Sequence, residues 1–201
     1  MKLGVLGSGE VGRRLAQGFA ARGHDVLLGT GNPDKPDLAD LGVPVGSFAD
    51  AASHADMAIL AAHGEAAPEL VASLEDQLGG KVLLDVTNPF SHDETGPYLW
   101  TRGTSLGELI QRAAPSVHVV KAFNTVGNPL MIDPPGGPHR MLIAGDDASA
   151  KADASAFIAA AGWTPVDIGT IRESIGLEGM ALAWVAYGRA TGDWDVVGTI
   201  V

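Results

Sequence analysis

The stretch GVLGSGEVGRRLAQGF, residues 4–19, restricts the fold more than any other part of the chain. Gly7, Gly9 and Gly12 form G-x-G-x-x-G directly after an apolar run, Lys2–Leu6, and at the opening of an amphipathic one. Each glycine has a separate task in such a turn. Gly7 permits the tight bend, Gly9 lets a ligand approach the backbone, and Gly12 lets helix and strand pack closely. The free N–H groups of the helix and the positive end of its dipole then face an anion, which suits the pyrophosphate of a dinucleotide. A glycine turn with a purely structural role is the alternative. GHDVLL, at residues 23–28, supplies the second strand about one βαβ unit later and favours the dinucleotide.

The remaining pattern extends this start. Strands are expected over Lys2–Leu6, Asp25–Gly29, Val43–Val45, Met57–Ala61, Val82–Asp85 and Val117–Ala122, and helices over Val11–Ala21, Glu65–Gln77 and Leu106–Ala113. The first, fourth and fifth strands are nearly all apolar, as parallel strands covered on both faces require. The alternation predicts an α/β chain, a Rossmann-type doubly wound parallel sheet. After Asn124 the loop MIDPPGGPHR interrupts the pattern. A strand at Met141–Ala144, a helix at Ala148–Ala161 led by Asp146 and Asp147, a strand near Thr164–Ile168 and a helix near Ile171–Arg189 follow. They predict a small C-terminal α/β appendage. The expected division is 1–135 for the nucleotide-binding domain and 136–201 for the appendage, which would wall off one side of the ligand crevice.

Composition excludes several function classes. The formal charge of −11, without a long basic run, argues against nucleic acid as a partner. There is no cysteine, and none of the six histidines has a partner at convincing metal-ligand spacing, so no metal site is expected. No apolar run approaches the roughly 20 residues that cross a bilayer, and MKLGVLGSG runs straight into a strand, so a cytoplasmic protein without membrane contact is expected. Hydrophobic residues make up 46% of the chain, enough for a substantial core.

The choice of coenzyme rests on VLLGTGNP, residues 26–33. A carboxylate at the end of the second strand would hold the free ribose of NAD, and an arginine nearby would accommodate the 2′-phosphate of NADP. Neither is present. Thr30, the N–H of Gly31, the Asn32 amide and Lys35 offer a hydroxyl, amides and a cation, a set that suits a phosphate and favours NADP(H) over an ordinary Asn-Pro turn. Asp34 and Asp37 lie further along the loop. Arg13 and Arg14, in a helix turn that disfavours cations, either face the nucleotide or form a solvated pair. Ligands of open parallel sheets bind beyond the carboxyl ends of the strands. Ala61, Ala62 and His63 after the fourth strand, Asn88 after the fifth, and Phe123 and Asn124 after the sixth are therefore candidates to line the crevice. His63 could position a ring or donate a proton, or stand at the rim without catalytic duty.

With these pieces aligned, the chain resembles the coenzyme F420-dependent NADP oxidoreductase family, and the cytosolic NADPH-binding domain of the related membrane metalloreductases. The elements that carry the resemblance are GVLGSGEVGRRLA, GHDVLLGTGNP, KVLLDVTNP, VVKAFNTVG, and AGDDASAK followed by GWTPVDIGTIRESIGLEGM. It implies hydride transfer between NADP(H) and a deazaflavin (coenzyme F420) or a flavin. The family's phosphate loop maps onto Gly7, Ser8, Gly9, Glu10, Val11 and Gly12, and its ribose-phosphate loop onto Thr30, Gly31, Asn32 and Lys35. Family members usually carry Ser-Arg where this chain has Thr30 and Gly31. Contacts to the nicotinamide are implied near Ala62, His63, Asn88, Pro89, Phe123 and Asn124, with Ala61 and Ala122 as further cofactor-binding candidates. A homodimer is implied as well, with the apolar tail DVVGTIV suited to a pocket wall or a subunit contact. For the anionic deazaflavin, Arg102, Lys121, His139 and Arg140 are candidate cations. Competing readings are a coenzyme-binding sensor or scaffold without turnover, and a reductase of small carbonyls or imines. The roughly 60 residues beyond the sheet are too few for the helical domain such reductases add.

Overall fold

The computed structural model describes residues 1–137 and 139–194; the DVVGTIV tail lies outside them. Gly4 and Gly29 show how the sheet accepts its first layer of helix. Both have no side chain, and the Ala51 backbone and methyl group occupy the space that a Cβ at either would need. A helix can therefore lie close against two neighbouring strands. The chain runs β1 (Lys2–Leu6), α1 (Glu10–Ala20), β2 (Asp25–Thr30), β3 (Val45–Ser47), α2 (Phe48–His54) and β4 (Met57–Leu60). It continues through α3 (Ala67–Ser73), α4 (Glu75–Leu78), β5 (Val82–Asp85), β6 (Phe90–Asp93), β7 (Gly96–Leu99), α5 (Leu106–Ala113) and β8 (His118–Lys121). The last elements are β9 (His139–Gly145), α6 (Ala148–Ala160), β10 (Trp163–Asp167) and α7 (Ser174–Thr191).

Eight strands form one sheet in the order β10-β9-β8-β5-β4-β1-β2-β3. The run β3-β2-β1-β4-β5-β8 is parallel throughout and has the strand order of a dinucleotide-binding sheet, reversing between β1 and β4. Alternation along β1 assigns the faces. Leu3 and Val5 join a core with Leu15 and Phe19 of α1 and with Phe157 and Ile158 of α6. Leu6 joins the opposite core with Ala51 and Ala52 of α2, Val71 of α3 and Ile110 of α5. Helices therefore cover both faces, the arrangement expected of a doubly wound sheet.

The expected parallel sheet needs one amendment, because β9 pairs antiparallel to β8, with Val120 opposite Gly145 and Lys121 opposite Ala144. A parallel return would need a crossover carrying the chain back to the other end of the sheet. Between β8 and β9 the described chain has only a 3-10 turn, Asn128–Leu130, so it re-enters from the end it left. β10 then runs parallel to β9 after α6. The residues expected as an appendage thus extend the edge of the main sheet. The strand expected at Val43–Val45 begins at Val45, and the helix expected over Glu65–Gln77 is a 3-10 turn followed by α3 and α4. The sequence reading missed α2 and the antiparallel hairpin β6–β7, which stands apart from the main sheet.

Candidate functional site

Parallel registry brings the strand ends to one level. Gly29, Leu6, Leu60, Asp85 and Lys121 are successive partners across β2, β1, β4, β5 and β8. Of the residues just beyond this row, Gly7, Ala61 and Val86 line a crevice at the point where strand order reverses. Gly7 has φ 135°, and a Cβ there would overlap the Ala61 carbonyl. At Gly12 a Cβ would strike the Gly7 carbonyl oxygen, so close packing of α1 on the bend demands glycine. Gly9 differs: its φ of −71° suits any residue and a Cβ would meet nothing within 4 Å. The space in front of Gly9 is open.

The start of α1 carries no side-chain cap, and its ladder begins with Arg13 N donating to Gly9 O at 3.0 Å. The N–H groups of Glu10, Val11 and Gly12 precede that first bond and remain for an anion. By contrast α2 and α5 close their own starts with capping boxes, Ser47 with Asp50 and Ser105 with Glu108, and α6 is capped by Asp147. A bend without side chains, open space over it and unsatisfied donors fit a pyrophosphate.

Two clefts meet over this bend. One, of about 570 Å³, is lined by Gly7, Ser8, Gly9, Phe48, Ala66 and Leu70 among others, an apolar surface suited to the flat face of a base. The second, of about 300 Å³, is lined by Gly64, Val86, Thr87, Asn88 and Phe90. Val11, Ala61, Ala62 and His63 belong to both, so the clefts adjoin along these residues. Among the described residues, every one that lines them comes from the first ninety positions. The described residues of the C-terminal segment do not form the expected wall, and Phe90, at the root of the β6–β7 hairpin, lines the cleft on one side.

The predicted residues divide into groups. Ala61 and Ala62 form the crevice floor, and His63 is exposed at its rim, its ring without a hydrogen bond or ion pair among the described residues. Asn88 and Asn124 are joined to each other: Asn88 Nδ2 donates to the Asn124 carbonyl at 2.8 Å, and Asn124 Nδ2 donates to Asn88 Oδ1 at 3.0 Å. This pair ties the β5 and β8 ends together and leaves each amide one further donor. Pro89 is buried and accepts from Trp100 N. Ala122 and Phe123 are fully buried. The Phe123 ring lies edge-on to Trp163, with centroids 6.2 Å apart, so it belongs to the core and not to a nicotinamide contact. Its φ of 60° is the strained turn that brings Asn124 to Asn88. Phe48, Leu70, Thr87 and Phe90 escaped the sequence reading. Thr87 stands inside DVTNP and Phe90 directly after it, which was the available signal.

At the end of β2, Thr30 is buried, and its Oγ1 lies 2.9 Å from Ser8 Oγ and accepts from Asn32 N at 3.4 Å. Gly31, Asn32 and Lys35 are exposed. Arg13 and Arg14 part company. Arg13 Nε donates to Ser8 O at 2.7 Å and its Nη2 meets Asp37 Oδ2 at 2.6 Å, beside the crevice, whereas Arg14 is exposed and reaches the Pro129 carbonyl at 3.4 Å.

Lys121 corrects the expected cation set for an anionic acceptor. It is completely buried, with Nζ 2.8 Å from Asp85 Oδ2, 3.0 Å from Glu178 Oε1 and 2.8 Å from the Thr87 carbonyl. Burial alone would lower its pKa, but the two carboxylates outweigh it and hold the ammonium above the ordinary lysine value. Glu178 also accepts from Leu106 N and Gly107 N at the start of α5. The group is a closed internal network. Neither Lys121, Arg102, His139 nor Arg140 lines either cleft. No helix of the described residues is long and apolar enough to cross a membrane, and no group of metal-ligating side chains occurs among them.

Comparison with known proteins agrees with this geometry. Residues 2–89 match the family model described as NADP oxidoreductase, coenzyme F420-dependent. A crystal structure from Arthrobacter sp. FB24, titled as a candidate F420-dependent NADP reductase, superposes with a TM-score of 0.90 at 34% identity, covering 97% of this chain and 96% of that one. The metalloreductase STEAP3 of Rattus norvegicus is 32% identical over 187 residues, which are 90% of this chain and 36% of that protein. The F420-dependent NADP reductase of Methanothermobacter thermautotrophicus is 29% identical over 150 residues, 66% of this chain and 65% of that protein. The chain thus spans less than two thirds of either of these two relatives. Matched from its glycine bend to its last helix, the chain belongs to the coenzyme F420-dependent NADP oxidoreductase family.

Proposed function

We propose that the protein binds NADP(H) along the crevice and exchanges a hydride with a deazaflavin of the F420 class. The observation that carries this reading is that two clefts adjoin along Val11, Ala61, Ala62 and His63 beside an uncapped α1. An extended dinucleotide has the same layout: a flat base, a central diphosphate and a second ring. The backbone of Gly7–Gly12 would hold the diphosphate, with Phe48 and Leu70 against the adenine. Thr87 and Asn88, the latter held in place by Asn124, would border the nicotinamide, and the small side chains of Ala61 and Ala62 let it lie close to the sheet. When bound, the coenzyme supplies or takes the hydride. The chain's own contribution is positioning, because hydride transfer between stacked rings depends on close approach and calls for no protein nucleophile. His63 is placed to orient a ring at the rim. The family description and the name of the methanogen relative support the deazaflavin as partner. The homodimer that the family resemblance implies is proposed too, and a light-scattering mass equal to one chain would exclude it.

The test is anaerobic incubation with NADPH and either F420 or a flavin. Loss of the acceptor's visible absorption is expected with F420. No change with both acceptors would overturn the reading.

A further inference from the structure

The loop after β2 carries a charge arrangement that the coenzyme reading leaves unexplained. Asp37 Oδ2 receives Arg13 Nη2 at 2.6 Å and Lys35 Nζ at 3.3 Å, and the Asp37 carbonyl accepts from Arg13 Nη1 at 3.2 Å. Arg13 is fixed from behind by its 2.7 Å bond to Ser8 O, and Ser8 is in turn bonded to Thr30. One connected polar chain therefore runs from the glycine bend, across the end of β2, to Asp37. In this fold the end of the second strand faces the adenosine ribose. The two cations nearest that corner thus already hold an anion, and it is one the protein supplies itself. The Asp37 side chain is 48% exposed and Lys35 51%, so the carboxylate is free to leave. The hydrogen bond from Arg13 and then that from Lys35 keep the Asp37 carboxyl below its usual pKa, and it is charged at neutral pH.

We propose that Asp37 sets the coenzyme selectivity of this chain by occupying the place of the 2′-phosphate. A phosphomonoester carries about −1.5 to −2 charges near neutral pH and three strong acceptor oxygens. It would take Arg13 and Lys35 from Asp37, with the Thr30 hydroxyl alongside. A coenzyme with a free 2′-hydroxyl makes no such exchange and leaves the Arg13–Asp37 pair closed. Asp37 thereby subtracts from the affinity for NADP(H) and leaves that for NAD(H) untouched, which narrows the difference between them. This inference rests on the proposed coenzyme site.

The test is calorimetric titration of 2′,5′-ADP and 5′-AMP into the wild-type protein, Asp37→Asn and Lys35→Ala, so that no turnover is needed. Both substituted side chains are exposed, and unchanged thermal unfolding would verify that the variants are folded. Asp37→Asn is expected to bind 2′,5′-ADP about fivefold more tightly and 5′-AMP equally well, and Lys35→Ala to bind 2′,5′-ADP about fivefold more weakly. The gain in Asp37→Asn should shrink as salt is raised. Unchanged affinity of Asp37→Asn for 2′,5′-ADP, or an equal gain for both ligands, would overturn the proposal. Weaker 5′-AMP binding would overturn it as well, since it would make Asp37 a ligand of the ribose. If the wild-type protein bound neither ligand, the coenzyme reading itself would fall, and this inference with it.

Discussion

A methyl group added at Gly9 and one added at Gly12 would meet opposite surroundings, although the two residues serve the same bend. At Gly12 the new Cβ would collide with the backbone of Gly7, a neighbour that cannot yield. Alanine is the better helix former by about 1 kcal/mol, so a surface position would be stabilised by the change. Here the clash decides the sign, and Gly12→Ala should lower the unfolding midpoint and abolish coenzyme binding together. At Gly9 the methyl group would enter open space. Gly9→Ala should therefore keep its thermal midpoint while losing tenfold or more in affinity, about 1.4 kcal/mol, because the space it fills is the one the diphosphate needs. Parallel thermal unfolding and calorimetric titration of the two variants would check this, and equal destabilisation by both would refute it. These glycines were legible because their spacing is a local property of the chain. The role of Phe123 was not. Its position after β8 suggested the crevice, whereas its positive φ turns the ring into the core against Trp163, forty residues away.

The same contrast holds for whole elements. Apolar strands such as β1 and β5 announced themselves, since a strand buried on both faces has little choice of side chain. The β6–β7 hairpin did not, because Ser91, His92, Asp93 and Glu94 read as a polar loop and its turn is set by Asp93 Oδ1 accepting from the N–H groups of Thr95 and Gly96. The start of α5 depends on two devices of different visibility. Ser105 and Glu108 cap it locally, with Ser105 Oγ accepting from Glu108 N at 3.0 Å and Ser105 N donating to Glu108 Oε2 at 3.0 Å. Ser105→Ala should cost about 1 kcal/mol in urea unfolding. Partial burial would raise the Glu108 pKa, but the hydrogen bonds from Ser105 and Thr104 outweigh it and hold it below the ordinary value. The stabilisation is therefore present above the unfolded value of about 4.3 and is lost as pH falls through the lower folded value. In Ser105→Ala this part of the acid sensitivity should diminish. The second device, Glu178 of α7 on the N–H groups of Leu106 and Gly107, spans more than seventy residues and leaves no mark in sequence. Glu178→Leu would strip those donors and leave Lys121 with one carboxylate, and a loss of about 3–5 kcal/mol is expected. An unchanged midpoint would show that the buried network contributes nothing.

At the scale of the molecule, that network decides how the two sequence segments relate. The change in texture after Asn124 correctly marks where the parallel run ends, but the composition of a loop does not reveal whether the chain beyond it folds alone. Three couplings cross the boundary near residue 135. β9 continues the sheet from β8, Phe157 of α6 packs on Phe19 of α1 with ring centroids 4.5 Å apart, and Glu178 completes the charge balance of Lys121. A fragment ending at residue 135 would expose the β8 edge, lose the part of one core face that β9, α6 and β10 supply, and leave a buried ammonium with one carboxylate. Each of these is costly where total stability is only about 5–15 kcal/mol. The full chain should therefore unfold in a single calorimetric transition whose van't Hoff and calorimetric enthalpies agree, and the 1–135 fragment should lack a cooperative transition. Adding coenzyme offers a sharper form of the same test. Among the described residues, every one that lines the clefts lies in the first ninety positions, so a nucleotide that binds only the native state meets one of the two segments there. If the segments are one cooperative unit, saturating NADP should raise the midpoint seen by tryptophan fluorescence in a Trp100→Phe variant, whose remaining tryptophans all lie beyond residue 135, as much as that seen by far-ultraviolet circular dichroism. A shift confined to the second probe would mean that the C-terminal elements unfold independently, and that the Lys121 network joins two separable parts.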